Sequence, residues 1–222
     1  MENTNNSVIL TGRVAKVPEY SHSHCGEKFY GFVMEVKRLS DAVDSINVTI
    51  SEKLLNVTDL RQGAEIEVEG QYRSYNNYSG VGNKLVLTVF VQNLRQADED
   101  SDRANPNKIY LNGFVCKAPV YRTTPCGREI TDMIIAVNRA YGKSDYIPCI
   151  AWGRNAKYAS GFEVGDNVEI WGRIQSRQYI KRFEDGDEEI TVEQLCDLYG
   201  GFRYEMICDI GKRVPKEYFL NS

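Results

Sequence analysis

Several kinds of functional motif are missing from this sequence. Its six cysteines include no C-x-x-C pair, which disfavours a zinc ribbon or a dithiol redox site and leaves free thiols as the expected state. The two histidines, His22 and His24, share one Ser-His-Ser-His segment, which we expect to be a solvated loop rather than a metal site. Nucleotide-binding G-x-x-x-x-G-K-[ST], H-E-x-x-H and G-x-S-x-G motifs are absent too. We therefore expect no catalytic residue, no metal and no cofactor, and an enzyme is the least supported class.

Long apolar runs and a signal segment are also lacking. No stretch approaches the roughly 20 apolar residues of a membrane span, and residues 2–6 are polar without a basic charge. The expected location is therefore the cytoplasm. The net charge of -4 hides an uneven distribution, since residues 102–182 carry thirteen Lys or Arg against seven Asp or Glu. Because the local surface decides binding, the acidic total does not exclude a polyanionic partner.

The chain contains an internal repeat. At an offset of 101 residues, the segment 8–14 (VILTGRV) matches 109–115 (IYLNGFV). After one inserted residue the offset becomes 102, and 63–70 (GAEIEVEG) matches 165–172 (GDNVEIWG). Such a signal predicts two copies of one domain, each near 100 residues long.

The linker between the copies is marked by composition. Residues 97–107 are polar and acidic, which predicts a linker between a first domain at 1–96 and a second at 108–222. The second copy also carries an insertion at 183–201, for which an ordered flap and a mobile hairpin both remain open.

Each copy predicts five strands with a short helix between the third and the fourth strand. In the first copy this helix spans 51–60 with Ser51 as its N-cap, and in the second it spans 154–162. Five strands with a helix at that point are the pattern of the OB-fold barrel. The expected fold class is all-β, with two tandem OB-fold barrels.

Two alternating runs in the second copy carry the functional signal. In the run 145–154, every second residue from Ile147 to Ala151 is apolar and predicts the inward face of a strand. The predicted outward face bears large, flat groups, namely Tyr146, Pro148, Ile150 and Trp152. In the run 165–179 the predicted outward residues are Trp171, Arg173, Gln175, Arg177 and Tyr179. Aromatic rings alternating with guanidinium groups on an exposed sheet face are typical of sites that hold single-stranded nucleic acid.

Most of 107–180 resembles the bacterial single-stranded DNA-binding protein family. The matching segments, in order, are NKIYLNG (107–113), PCG (125–127), IAVNR (135–139), DYIPCIAWG (145–153) and GRIQSR (172–177). The resemblance implies OB-fold barrels that bind single-stranded DNA without sequence preference, protecting it in replication, recombination and repair, with a place at the nucleoid. It also implies that Tyr146, Trp152 and Tyr179 stack on bases, and it places Tyr141 near another stacking position. For phosphate contacts we select Arg139, Arg154, Arg173 and Arg177, although solvated side chains are the alternative.

The first copy departs from the family where DNA contacts are expected. Its counterparts of Tyr146, Trp152 and Tyr179 are Ser45, Ser51 and Asn77. We therefore expect it mainly to support assembly. It keeps other side chains that could touch a strand, namely Lys37, Arg38, Tyr72, Arg73, Tyr75 and Tyr78.

The resemblance also bears on partners. Family members commonly present four OB barrels, which a chain with two reaches as a homodimer. The sequence ends without the acidic, hydrophobic-tipped tail of many members, so recruitment of replication proteins by that route stays open. Trp171 suits a subunit interface at least as well as stacking. The alternative function is an OB-fold protein-interaction or primosome-like assembly module.

Overall fold

Two closed β-barrels form this protein. The computed structural model describes residues 5–38, 40, 42–76, 85–98, 101, 104–176, and the backbone of 177–178 and 202–214. The strands of the first barrel are β1 (Asn6–His24), β2 (Glu27–Lys37), β3 (Val43–Ser51), β4 (Glu65–Asn76) and β5 (Leu85–Gln96). Those of the second are β6 (Asn107–Val115), β7 (Val120–Thr123), β8 (Glu129–Asn138), β9 (Ser144–Trp152), β10 (Asn167–Gln178) and β11 (Phe202–Val214).

Closure follows the same order in both barrels. In the first, β1 pairs with β2 and β4, β2 with β3, and β5 bridges β3 and β4. In the second, β6 pairs with β8 and β10, β8 with β9, and β11 bridges β9 and β10. The bridging strand runs parallel to one neighbour and antiparallel to the other in each case. Two tandem OB-fold barrels, predicted from the repeat, are confirmed.

The third and fourth strands are connected differently in the two copies. The first copy has a single 3-10 turn, Glu52–Leu54, and the Ser51 hydroxyl accepts a hydrogen bond from the backbone N–H of Lys53 at 3.2 Å. Ser51 is therefore the predicted N-cap, but the helix predicted over 51–60 is wrong in extent, since only 52–54 are helical. The second copy has a helix, α1 (Arg154–Ala159), which buries Ala156 and Ala159. Among the described residues, no helix is long and apolar enough to cross a membrane.

The first strands of the two barrels join them into one sheet of eleven strands. β1 pairs antiparallel with β6, and Val8 lies opposite its own repeat counterpart, Ile109. Both side chains are buried, at 1% and 2% exposure. A residue that faces its own counterpart marks a local pseudo-twofold axis. The repeat therefore behaves as a dimer of domains within one chain.

Candidate nucleic-acid interface

The outward face of β9 holds the residues that the alternation singled out. Ile147, Cys149 and Ala151 are buried at no more than 1% exposure, while Tyr146 is 51% exposed. The inward and outward assignment of these four residues is correct. Ile150, predicted to face outward, is nevertheless only 4% exposed. The predicted outward face of β9 is therefore not exposed to solvent at Ile150.

Ile150 lines a shallow groove on this face. The groove has a volume of about 320 Å³, and its lining includes Pro148 and Ile150 of β9 together with Lys117, Val120 and Arg122. Arg122 is paired with Asp132 at 2.5 Å, whereas Lys117 is exposed. Lys117 and Val120 belong to the segment that enters β7, which sequence analysis did not connect with β9. These residues form the run Lys-Ala-Pro-Val (117–120) after the first strand of the second copy. The run can be connected with β9 only when the pairing of β7 with β8 is known.

Trp152 ends β9 and is half-buried, with its indole nitrogen inaccessible to solvent. Gly153 follows with a φ of 57°, a conformation that glycine adopts without a Cβ penalty, and it turns the chain into α1. Arg154, the first residue of that helix, is exposed. The Trp152 side chain is thus only partly accessible to solvent.

The carboxylate of Glu129 lies near this end of β9. Tyr121 donates a hydrogen bond to it at 2.6 Å, and Lys157 pairs with it at 3.2 Å. These two contacts, the Tyr121 bond first, hold the pKa of Glu129 below its ordinary value, and the same bond raises the pKa of Tyr121. Glu129 is therefore ionised, and the charge of Lys157 compensates its negative charge beside the candidate interface.

Tyr141 lies on the turn between β8 and β9 and is fully exposed. Its backbone has φ 62° and ψ 33°, a left-handed conformation that costs a bulky residue on the order of 1 kcal/mol or more. The turn is closed by the Arg139 N–H, which donates to the Lys143 carbonyl at 2.7 Å. The result is an aromatic ring held out into solvent at the edge of the second barrel.

Arg139 has its charge compensated inside the protein. Its guanidinium makes two hydrogen bonds to the carboxylate of Asp145, which is 1% exposed, and a third to the Ser74 carbonyl of the first copy at 2.9 Å. Asp145 also accepts from the Ser74 N–H at 2.5 Å. Arg139 therefore joins the two copies, and a phosphate contact by it stays a prediction.

The same junction occurs again across the pseudo-twofold axis. Arg38 pairs with the buried Asp44 at 2.6 Å and donates to the Ser176 carbonyl at 3.1 Å. Arg38 and Asp44 are the repeat counterparts of Arg139 and Asp145. Two copies of one ion pair thus fix the barrels to each other.

The remaining predicted residues of β10 are less fully described. Arg173 is half-buried, and no ion pair to it occurs among the described residues. Arg177 lies in β10 opposite Arg203 of β11, with only its backbone described. Tyr179 lies outside the described residues, as do Asn77 and Tyr78 of the first copy.

The corresponding face of the first copy carries short polar groups. Thr49 shares a hydrogen bond of 2.9 Å with Thr88 of β5, and the Ser51 hydroxyl donates to Glu27. Tyr72, named from sequence as a possible strand contact, is 1% exposed and belongs to the core. That assignment is wrong because Tyr72 continues the inward-facing register of Ile66, Val68 and Gly70 along β4.

An aromatic pair occupies the outer face of the joined sheet. Tyr110 and Trp171 have ring centroids 5.2 Å apart at 44°, and Trp171 is 45% exposed. The Tyr110 hydroxyl donates to Glu169 at 3.4 Å. Burial, and secondarily the Glu169 carboxylate, raises the pKa of Tyr110.

The described part of the chain contains no cluster of side chains that could bind a metal ion. Groups of three or more His, Cys, Asp or Glu side chains able to hold an ion do not occur there. His22 stacks on Phe29 with ring centroids 5.1 Å apart. The four cysteines with described side chains, Cys25, Cys116, Cys126 and Cys149, are free thiols.

The sequence is similar to proteins from several bacteria. It is 32% identical over 98 residues to single-stranded DNA-binding protein 1 of Staphylococcus aureus, covering 41% of this chain and 58% of that protein. To single-stranded DNA-binding protein 2 of Listeria innocua it is 34% identical over 88 residues, covering 36% and 53%. The chain spans about half the length of these relatives.

The architecture is similar to a solved structure over almost its whole length. Wild-type single-stranded DNA binding protein from Thermus aquaticus superposes with a TM-score of 0.65 at 16% identity, covering 95% of this chain and 94% of that one. At that identity the likeness shows the fold. The model of the single-strand binding protein family matches residues 5–96 and again 106–196. The chain therefore belongs to the single-strand binding protein family and carries its domain twice.

Proposed function

We propose that this protein binds single-stranded DNA without sequence preference, mainly through its second barrel. The observation that carries the proposal is the half-exposed ring of Tyr146, at the start of a strand whose outward face forms a groove walled by Lys117. A ring of this kind stacks on any base because every base has a π-face. The relatives from Staphylococcus aureus and Listeria innocua are named as single-stranded DNA-binding proteins.

Binding rests on two physical contributions. Tyr146, Trp152, Tyr141 and Tyr179 supply stacking surfaces, each contributing about 1–3 kcal/mol per base. Lys117, Arg154 and Arg173 supply charge for phosphates, with Arg139 and Arg177 as further candidates. The bound strand is protected in replication, recombination and repair, in the cytoplasm at the nucleoid. Residues 1–96 act mainly in assembly, 97–107 as linker, and 108–222 as the main DNA-binding domain.

Tryptophan fluorescence provides the direct test. The chain has two tryptophans, Trp152 and Trp171, and oligo(dT) stacking near Trp152 should quench the emission. The affinity should fall with salt, with a slope of log K on log[salt] of roughly 0.7 for each neutralised phosphate. A flat salt response contradicts the phosphate contribution. Absence of quenching together with binding to a replication protein favours the protein-interaction module instead.

Assembly as a homodimer with four barrels is part of the proposal. The exposed Trp171 beside Tyr110 supports it, because aromatic pairs on an outer sheet face are common in subunit interfaces. Light scattering at micromolar concentration should report twice the chain mass of 25.3 kDa. A monomer under those conditions would contradict the homodimer. The oligo(dT) fluorescence experiment would still test strand binding separately.

A further inference from the structure

A cleft lies between the two barrels, outside the groove of β9. It has a volume of about 440 Å³ and takes its walls from both copies. Its principal polar groups are Gln71, Arg73 and Gln92 of the first copy and Asn138, Tyr141 and Lys143 of the second. Arg139 also lines it, but none of the described lining residues is a carboxylic acid. A concave site rimmed by cations and amides has the chemistry of an anion site.

Arg73 is the central cation of this cleft. Its guanidinium carbon lies 3.7 Å from the centroid of the Phe90 ring, and its Nη2 donates to Gln71 at 3.0 Å. Its Nε is buried and has no hydrogen-bond partner among the described residues, and no ion pair to Arg73 occurs among them. Burial, with a further contribution from the charge of Arg139, lowers the pKa of Arg73. An anion in the cleft would relieve that unfavourable environment.

The second-copy wall adds a cation and a ring. Lys143 is exposed, and no ion pair to it occurs among the described residues. Tyr141, two residues earlier, is fully exposed in its left-handed conformation. Backbone strain of this kind is frequent where a side chain is held for a ligand.

A comparison of repeat counterparts shows which residues of the cleft are shared by both copies and which are not. The ion pairs Arg38–Asp44 and Arg139–Asp145 are present on both sides. The counterpart of Arg73 is instead Gln175, which faces Arg38, and the counterparts of Tyr141 and Lys143 are Ser40 and Ala42.

A second cavity contains Lys37 and Pro106, the counterparts of Asn138 and Asn5. Its lining combines two cations, Arg13 and Lys37, with two carboxylates, Glu35 and Glu65. Of the described lining residues of these two cavities, cations without a neighbouring carboxylate and an exposed ring occur together only in the cleft with Arg73.

We propose that this cleft is a second strand-binding subsite, in which Arg73 and Lys143 hold a backbone phosphate while Tyr141 stacks on the adjoining base. The inference rests on the proposed function and deepens it, because it gives the first copy a direct contact with the strand. Arg139 and its partner Asp145 position the two walls through their contacts with Ser74. A strand that follows the groove of β9 reaches the cleft past Tyr146, whose backbone N–H donates to Ser74 of the first copy at 2.8 Å.

Two charge-removing substitutions test the cleft. Arg73→Gln introduces the residue that the second copy carries at the same position, and Lys143→Gln changes an exposed side chain. Each should weaken oligo(dT) binding by about tenfold, the loss of one charged hydrogen-bonded contact, and lower the salt slope by about 0.7. Arg61→Gln is the matched control, since Arg61 is 81% exposed and paired with Asp59 outside the cleft. It should keep wild-type affinity and slope.

The outcomes distinguish this subsite from the proposed function. If both cleft variants bind as tightly and with the same salt slope as wild type while Tyr146→Ala binds weakly, the β9 interface stands and the cleft subsite is refuted. If wild-type protein does not bind oligo(dT) at low salt, both proposals fail. Melting curves verify the fold of Arg73→Gln, and Lys143→Gln decides the question alone if that variant is unstable.

Discussion

Arg139 of the second copy donates a hydrogen bond of 2.9 Å to the main-chain oxygen of Ser74 in the first copy, 65 positions earlier. The guanidinium is held in place by Asp145, a carboxylate that is 1% exposed. Since the same arrangement recurs at Arg38 and Ser176, the relative position of the barrels depends on two small polar clusters in addition to the pairing of β1 with β6.

Asp145→Asn should destabilise the protein by about 3 kcal/mol, because it leaves Arg139 without its counter-charge in a partly buried site. Urea unfolding measures the change. Asp132→Asn is the control, because the Arg122–Asp132 pair is exposed on both sides, at 48% and 36%, and its loss should cost at most about 1 kcal/mol. Equal losses in the two variants would show that the junction pair contributes no more than a surface pair.

Tyr146→Ala should weaken oligo(dT) binding by roughly ten- to a hundredfold through the loss of one stacking surface. Its melting temperature should stay near that of wild type, because the ring is half exposed. Ser45→Ala tests the counterpart position and should leave the affinity unchanged. Tyr20→Ala removes a ring of similar exposure, 59%, from the far hairpin of the first copy and should also bind normally. Equal effects of Tyr146→Ala and Ser45→Ala would remove the distinction between the two faces.

Trp152→Ala should lower both affinity and stability. The sequence predicted an outward ring, but Trp152 is only partly exposed, so its loss should cost about 2 kcal/mol of stability. Trp152→Phe should restore most of the stability and part of the affinity. Ser51→Ala should only weaken the 3-10 turn by about 1 kcal/mol. A binding loss in Ser51→Ala as large as in Trp152→Ala would contradict a binding role confined to the second copy's face.

Gly70→Ala should destabilise the first barrel by about 1–3 kcal/mol through overpacking. A Cβ at this position would lie 2.1 Å from the carbonyl oxygen of Phe90, where β4 and β5 meet at a bulge. Gly31→Ala serves as control, since its Cβ would have Val48 oxygen as nearest atom at 4.0 Å. If both variants melt at the wild-type temperature, β4 and β5 accommodate the added Cβ of Gly70→Ala without loss of stability.

Much of the β9 face was predictable from sequence because its information is local. A period of two along Ile147, Cys149 and Ala151 places their side chains on one face whatever the rest of the chain does. The repeat likewise predicted two similar barrels. Periodicity could not show that Ile150 would be covered, since the groove around it is walled by residues from the neighbouring β7 hairpin.

The sequence by itself determined that the chain forms two OB-fold barrels, that the second carries the exposed rings, and that the first has serines in their place. Only the tertiary structure decided how the barrels meet and which cations remain available to a strand. Arg139, selected from sequence as a phosphate ligand, is bound to Asp145 and Ser74, and Arg73, named from sequence as a possible strand contact of the first copy, lines the cleft with Lys143. The reason is physical: a charge is neutralised by whatever lies within a few ångströms, and those neighbours come from sequence positions that no local pattern connects.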